Sequence, residues 1–92
     1  MIRSSTTKKL EPIYENVKSY YRKAWINEHK NSIMLFSYNA HVATIYKNAD
    51  FSLSKVKVSG IYSATTLRHI KEFLRQHGFK ADSKSQIVND YM

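Results

Sequence analysis

Apolar residues recur along this chain in two rhythms. Across residues 19–62 they come in short runs with a period near two, and from Leu67 to Leu74 they come every three or four residues. The first rhythm predicts β-strands and the second an amphipathic helix. Residues 19–26 (SYYRKAWI) form the first strand segment. Its alternation is blurred, with Tyr21, Lys23 and Trp25 on one side and Tyr20, Arg22, Ala24 and Ile26 on the other. Polar residues 27–31 read as a turn. Residues 32–38 are the most apolar stretch, with Ile33 and Leu35 on one face and Met34, Phe36 and Tyr38 on the other. Such a strand is expected to be central and covered on both sides. Asn39 and Ala40 either turn the chain or let the strand bend. Residues 42–46 are β-branched and aromatic and predict a third strand, and residues 47–50 supply the Asn and Asp of a turn. Residues 55–62 alternate cleanly, with Val56 and Val58 inward and Lys55 and Lys57 toward solvent. Gly60 marks a bulge or a close backbone approach.

The helix is expected over residues 64–77. Leu67, Ile70, Phe73, Leu74 and His77 share its apolar face. Ser63 suits the N-cap, with Thr65 or Thr66 as alternates. Gly78 suits the left-handed C′ position, which places Phe79 at C″ against Leu74, as a Schellman ending requires. Pro12 opens a short helix over residues 13–18. Residues 1–11 read as a flexible basic arm, 12–80 as the single domain, and 81–92 as a tail in which Ile87, Val88 and Tyr91 suit a short docked helix. Short turns favour antiparallel neighbours. The expected fold is a small two-layer α+β domain: about four antiparallel strands covered by one long amphipathic helix, after a short N-terminal helix.

Charge adds a direction to this picture. Among 92 residues, 15 are Lys or Arg and 7 are Asp or Glu, giving +8 with His neutral. A small domain with that imbalance attracts polyanions. The chain has no cysteine, which removes disulfides, thiolate metal sites and thiol nucleophiles. The longest apolar run is Ile33-Met34-Leu35-Phe36, far below the roughly 20 residues of a spanning helix. The first residues are basic without a following apolar run, unlike a secretory signal. A cytoplasmic protein without a membrane partner is the expectation.

Catalytic chemistry is sparse. His69 and His77 are separated by about 80° around the helix and do not converge. No HExxH, GxSxG or phosphate-loop motif is present, and two glycines allow no glycine-rich cradle. The seven acids show no acid–base pair. His41 with helix residues lacks a metal-ligand motif. No enzyme activity, metal or cofactor is expected. Ser63, Thr65 and Thr66 beside Arg68 either hold an anion or simply cap the helix, and capping is the simpler account.

Cations are grouped more tellingly. Arg68, Lys71 and Arg75 form one stripe of the helix, and Lys55 and Lys57 share the outer side of the strand before it. Lys8, Lys9, Lys18, Arg22 and Lys23 make a second basic zone, interleaved with Tyr20, Tyr21 and Trp25. Cations beside flat aromatic faces suit a phosphate backbone with exposed bases. The plainer account is a solvated helix face and core aromatics. Arg22, Lys23, Lys55, Lys57, Arg68, Lys71, Arg75, Tyr20, Tyr21 and Trp25 are the candidate binding residues. No motif for sequence-specific readout is present.

Three blocks carry a resemblance: Ser19-Tyr20-Tyr21-Arg22-Lys23-Ala24, Ser37-Tyr38-Asn39-Ala40-His41-Val42-Ala43, and Tyr62-Ser63-Ala64-Thr65-Thr66-Leu67-Arg68-His69-Ile70-Lys71-Glu72-Phe73-Leu74. They resemble a family of small proteins of phages and other mobile elements of Firmicutes. Its pattern runs S-[FY]-Y-G-K-A, S-Y-[ND]-T-x-V-A and S-x-T-T-x-R-H-I-x-E-F-L. The likeness spans residues 19–79, and the third block is the most specific. Arg22 stands where the pattern has Gly, and Ala40 where it has Thr. The family is largely of unknown function. The resemblance implies a phage or mobile-element setting, shared with anti-CRISPR inhibitors and other host-takeover factors. The resulting expectation is a non-enzymatic accessory protein that acts by stoichiometric binding, most concretely as an anti-CRISPR inhibitor. Its partner would be a nucleic acid or a nucleoprotein complex such as a Cas effector. A general DNA- or RNA-binding module or regulator is the alternative. A structural or assembly protein using an aromatic homo-oligomer interface is the third reading.

Overall fold

The computed structural model describes every residue except 1–4, 15–19, 21, 22 and 51. It contains strands β1 (Ser5–Lys9), β2 (Ala24–His29), β3 (Ser32–Ser37), β4 (Ala40–Lys47) and β5 (Leu53–Val58), then helices α1 (Ala64–Gln76) and α2 (Lys84–Tyr91). The strands form one antiparallel sheet in sequence order from β1 to β5. The architecture is α+β with a meander and a long helix, as the periodicities predict. The sheet has five strands where about four were expected.

The added strand is β1, in the segment expected to be a flexible arm. It pairs with β2 from Ser5 opposite His29 to Lys9 opposite Trp25. Its Ser-Thr-Thr-Lys-Lys sequence has no apolar alternation; the backbone ladder to β2 holds it at the sheet edge, with Thr7, Lys8 and Lys9 exposed. Lysines on such an edge also discourage pairing with another chain. β2 is displaced toward the C-terminus relative to its expected range, since Asn27, Glu28 and His29 belong to it rather than to a turn. Cross-strand hydrogen bonds engage part of this polarity. Asn27 Nδ2 donates to Thr7 Oγ1 at 3.3 Å, and Lys47 Nζ donates to Glu28 Oε2 at 3.0 Å and to the His29 carbonyl at 2.9 Å. The Lys47 hydrogen bond holds the Glu28 carboxyl below the usual carboxylate range.

β3 and β4 meet in a tight turn at Tyr38 and Asn39, with φ of 52° and 70°. Positive φ at both central residues is the hairpin geometry that matches strand twist. Tyr38 therefore leaves the strand that residues 32–38 were expected to form. β5 ends at Val58, short of the expected 62. Gly60 lies against the Tyr62 ring, where a Cβ would come within 2.7 Å, which is the close-approach reading. The expected helix over residues 13–18 falls mostly outside the described residues, and Ile13 and Tyr14 form a bend.

The inner sheet face carries Ala24, Ile26, Ile33, Leu35, Ala43, Ile45 and Val58, all buried. Ile70, Phe73 and Leu74 of α1 and Ile87 of α2 join them in one core. Each such large apolar side chain contributes about 1.5–3 kcal/mol on burial. Both ends of α1 follow their local chemistry. Ser63 Oγ accepts from the Thr66 N–H at 3.1 Å. At the other end, the Phe79 N–H reaches the Leu74 carbonyl at 2.9 Å and the Gly78 N–H reaches the Arg75 carbonyl at 3.1 Å. Those two bonds with Gly78 at φ 83° make a Schellman ending.

One buried acid ties the start of the chain to α1. Glu72 is 2% exposed. Its carboxylate accepts from the Ile13 N–H at 2.9 Å, the Tyr14 N–H at 3.0 Å and Gln76 Nε2 at 2.6 Å. Gln76 Nε2 also donates to the Glu11 carbonyl at 2.6 Å. Leu10, just ahead of this strap, is buried in the core.

Candidate functional site

Antiparallel register sets which side chains share the outer sheet face, because residues directly opposite one another point the same way. Lys9, Trp25, Phe36 and His41 form one row across β1, β2, β3 and β4. Thr7, Asn27, Met34, Thr44 and Lys57 form the next across all five strands. Ser32 and Tyr46 are opposite one another in a third row. A bulge builds the first row. Leu35 pairs with Ala43, but Phe36 pairs with His41, so Val42 is the extra residue and His41 is returned to the outer face.

The rings and cations of this face interact directly. Phe36 and His41 have ring centroids 5.3 Å apart. His41 Nε2 and Thr44 Oγ1 are hydrogen-bonded at 2.7 Å. Lys55 Nζ lies 5.5 Å from the centre of the Tyr46 ring, a cation–π distance. Trp25, Met34 and Phe36 are half-buried, while Lys9, His41, Tyr46, Lys55 and Lys57 are exposed. The expectation that β3 is covered on both faces is therefore corrected: α1 packs against β3 and β4 from the inner side, while Met34 and Phe36 remain partly open on the other. Beside β5 the face runs into a cleft lined by Tyr46, Lys55, Lys57 and the end of α2, where Asp90 is the acidic group.

The candidate binding residues divide between the two layers. Trp25, Lys55 and Lys57 lie on the outer sheet face. Arg68, Lys71 and Arg75 lie on α1, which covers the opposite face, so they do not join that group. Lys23 is exposed and its Nζ lies 5.8 Å from the Tyr38 ring centre. Tyr20 is 7% exposed and belongs to the core, its ring 4.4 Å from that of His69. Burial removes Tyr20 as a surface contact. Tyr21 and Arg22 lie outside the described residues. Phe36, His41 and Tyr46 are not among the candidate binding residues, and Lys9 enters only as part of the N-terminal basic zone. The strand pattern of residues 32–46 is legible, but only strand pairing shows that these residues share a face with the lysines of β5.

His69 has a different role. It is fully buried, and its Nδ1 lies 2.8 Å from Ser37 Oγ, which is itself 2% exposed. Ser37 Oγ lies 3.3 Å from Thr66 Oγ1, which accepts from the Ser63 hydroxyl at 3.2 Å. The Ser37–His69 spacing suits a nucleophile and base, but their burial makes this a hydrogen-bonded core contact. The same network engages Ser63 and Thr66 in capping and core bonds, the plainer of the two readings for that segment. Among the described residues, no three His, Asp or Glu side chains gather in a cluster that would hold a metal ion. His41 and α1 lie on opposite sides of the sheet and cannot share a ligand set. Among the described residues, no helix is long and apolar enough to cross a membrane.

Neither the curated proteins nor the solved structures contain a match to this chain. A family model does match it, over residues 8–89, from the end of β1 into α2. That range covers nearly the whole sheet that carries the aromatic and basic face, and the chain belongs to the family of unknown function DUF8033.

Proposed function

We propose that this protein binds nucleic acid without catalysis, on the outer face of its sheet. The observation that carries this reading is the row of Trp25, Phe36 and His41, with Lys9 at one end, Tyr46 farther along β4, and Lys55 and Lys57 on β5. Aromatic faces offer stacking surfaces and lysines neutralise phosphates. The net charge of +8 supports capture of polyanions from solution. Nucleic acid is favoured over an acidic protein surface because rings and cations share one sheet face, the rings flanked by lysines. The α1 stripe has charge without rings and is a weaker candidate.

A mobility-shift titration with mixed-sequence DNA and RNA tests this reading. Affinity should fall steeply between about 50 and 200 mM salt. Replacing Lys9, Lys55 and Lys57 together with Gln should flatten the salt dependence by about 2–3 units of log–log slope. Replacing Lys71 and Arg75 with Gln should leave it nearly unchanged. Absence of any shift at the lowest salt, or equal flattening by the α1 pair, would sink the proposal.

The narrower role, a mobile-element accessory protein that inhibits a Cas effector by occupying its nucleic acid, rests on the resemblance of the sequence blocks. It predicts retention of the effector or its guide RNA in a pull-down and loss of target cleavage at molar excess. Full cleavage with no retention would remove that role while leaving nucleic-acid binding intact.

A further inference from the structure

We infer that the nucleic acid this face takes is single-stranded, an inference that rests on the proposed function above. Width provides the first argument. Four inter-strand spacings of about 4.8 Å separate β1 from β5, so the five-stranded face is about 19 Å across its strands. The major groove of a duplex is about 12 Å wide and admits one helix or a two-stranded ribbon. A sheet face of this width cannot enter it. A duplex lying on the surface would offer phosphates to Lys9, Lys55 and Lys57 but no base face to the rings between them.

Arrangement provides the second argument. Phe36 and His41 lie in the middle of the sheet, on β3 and β4, with their ring centroids 5.3 Å apart. Lys9 lies on the β1 edge, and Lys55 and Lys57 lie on the β5 edge. Tyr46 stands between these zones with the Lys55 ammonium over its ring. Rings in the centre and cations at both margins suit unpaired bases laid flat, with their phosphates toward the edges. In the adjacent row Asn27 Nδ2 is bonded to Thr7 Oγ1, and Thr44 is buried with its hydroxyl bonded to His41, so little polarity there is aimed at base edges. This favours stacking over base-specific readout, so both single-stranded RNA and single-stranded DNA are accommodated.

Fluorescence titration of the full chain tests the inference. Trp25 is the single tryptophan, so intrinsic emission reports on this face. The probes are a 12-nucleotide oligo(dT), a 12-nucleotide oligo(U), a 12-base-pair hairpin duplex, and heparin as a polyanion without bases. Either oligonucleotide should bind more tightly than the hairpin and quench Trp25, and heparin should bind without that quenching. Tyr46→Leu and Phe36→Leu should each weaken single-strand binding by about 5- to 150-fold with the salt slope kept. Tyr46 is partly exposed and guards against loss of binding through misfolding of the Phe36 variant, with the thermal midpoint of each variant checked first. Hairpin affinity equal to or above that of both oligonucleotides would overturn this inference alone. Loss of ring side chains without loss of single-strand affinity would do the same. Failure of every nucleic acid to bind would instead overturn the proposed function.

Discussion

Replacing Glu72 with Gln is the sharpest test of how this fold is held. The substitution keeps side-chain volume but turns an acceptor-only group into one that also donates. Glu72 is 2% exposed and serves three donors: the Ile13 and Tyr14 N–H groups and Gln76 Nε2. Hydrogen bonds to a charged acceptor contribute about 1.5–3 kcal/mol each. Ile13 and Tyr14 are 69% and 59% exposed, so their freed N–H groups regain water and the neutral range of about 0.5–1.5 kcal/mol per bond is the better guide. The expected loss is therefore about 2–4 kcal/mol. A small domain with about 5–15 kcal/mol of stability stays folded after that loss. With a urea slope of about 1–3 kcal/mol per molar, the midpoint should fall by about 0.7–4 M. Amide exchange supplies the local readout, since the Ile13 and Tyr14 protons should lose protection while those of β3 keep theirs within the remaining stability. A midpoint shift below about 0.3 M, with unchanged exchange at Ile13 and Tyr14, would refute the assigned role.

Two further outcomes follow from the geometry. Gly78→Ala should cost about 1 kcal/mol, lowering the thermal midpoint by about 4–8 °C, because φ at Gly78 is 83° while an added Cβ would meet nothing within 4 Å. An unchanged midpoint would show that the Schellman ending does not need its glycine. The Glu28–Lys47 pair should make stability pH-dependent at acid pH. The folded carboxyl lies below its ordinary value because of Lys47, so the unfolded chain takes up the proton first as pH falls. That contribution is present above the unfolded carboxyl pKa, about 4.3, and is lost as pH falls through the lower folded value. The Glu28 side chain is 43% exposed, so solvent screening keeps the effect small. Lys47→Met should remove this component from urea midpoints compared at about pH 6 and pH 3, and an unchanged difference would contradict the assignment.

What could be read from sequence followed the range of the forces involved. α1, its Ser63 cap and its Gly78 ending depend on residues within one or two turns, and their spacing announces them. The inward Val56 and Val58 and outward Lys55 and Lys57 follow from simple alternation. β1 was hidden because its bonds are to β2, with polar residues on both strands. Tyr20 was misplaced because its neighbour, His69, is far along the chain. Glu72 gave no local sign of burial, since its backbone donors lie 58 and 59 residues away. The binding residues were partly legible as types but not as a group. Strand pairing separates the α1 stripe from the sheet lysines and brings Phe36, His41 and Tyr46 in among the latter.

The sequential order of the strands also bears on how the molecule forms. Every sheet contact joins chain neighbours, and such low-contact-order topologies assemble quickly. The hairpins β2–β3 and β3–β4, which carry Trp25, Phe36 and His41, need no distant partner to begin. The Glu72 strap joins residues 58 and 59 positions apart and is expected late. Its loss should then accelerate unfolding while leaving the refolding rate nearly unchanged in a chevron experiment, and a slowed refolding limb would place the strap in the nucleus instead. On that order the aromatic platform precedes the clasp, and the lifetime of the folded state is governed by a contact between segments 58 and 59 residues apart rather than by its hairpins.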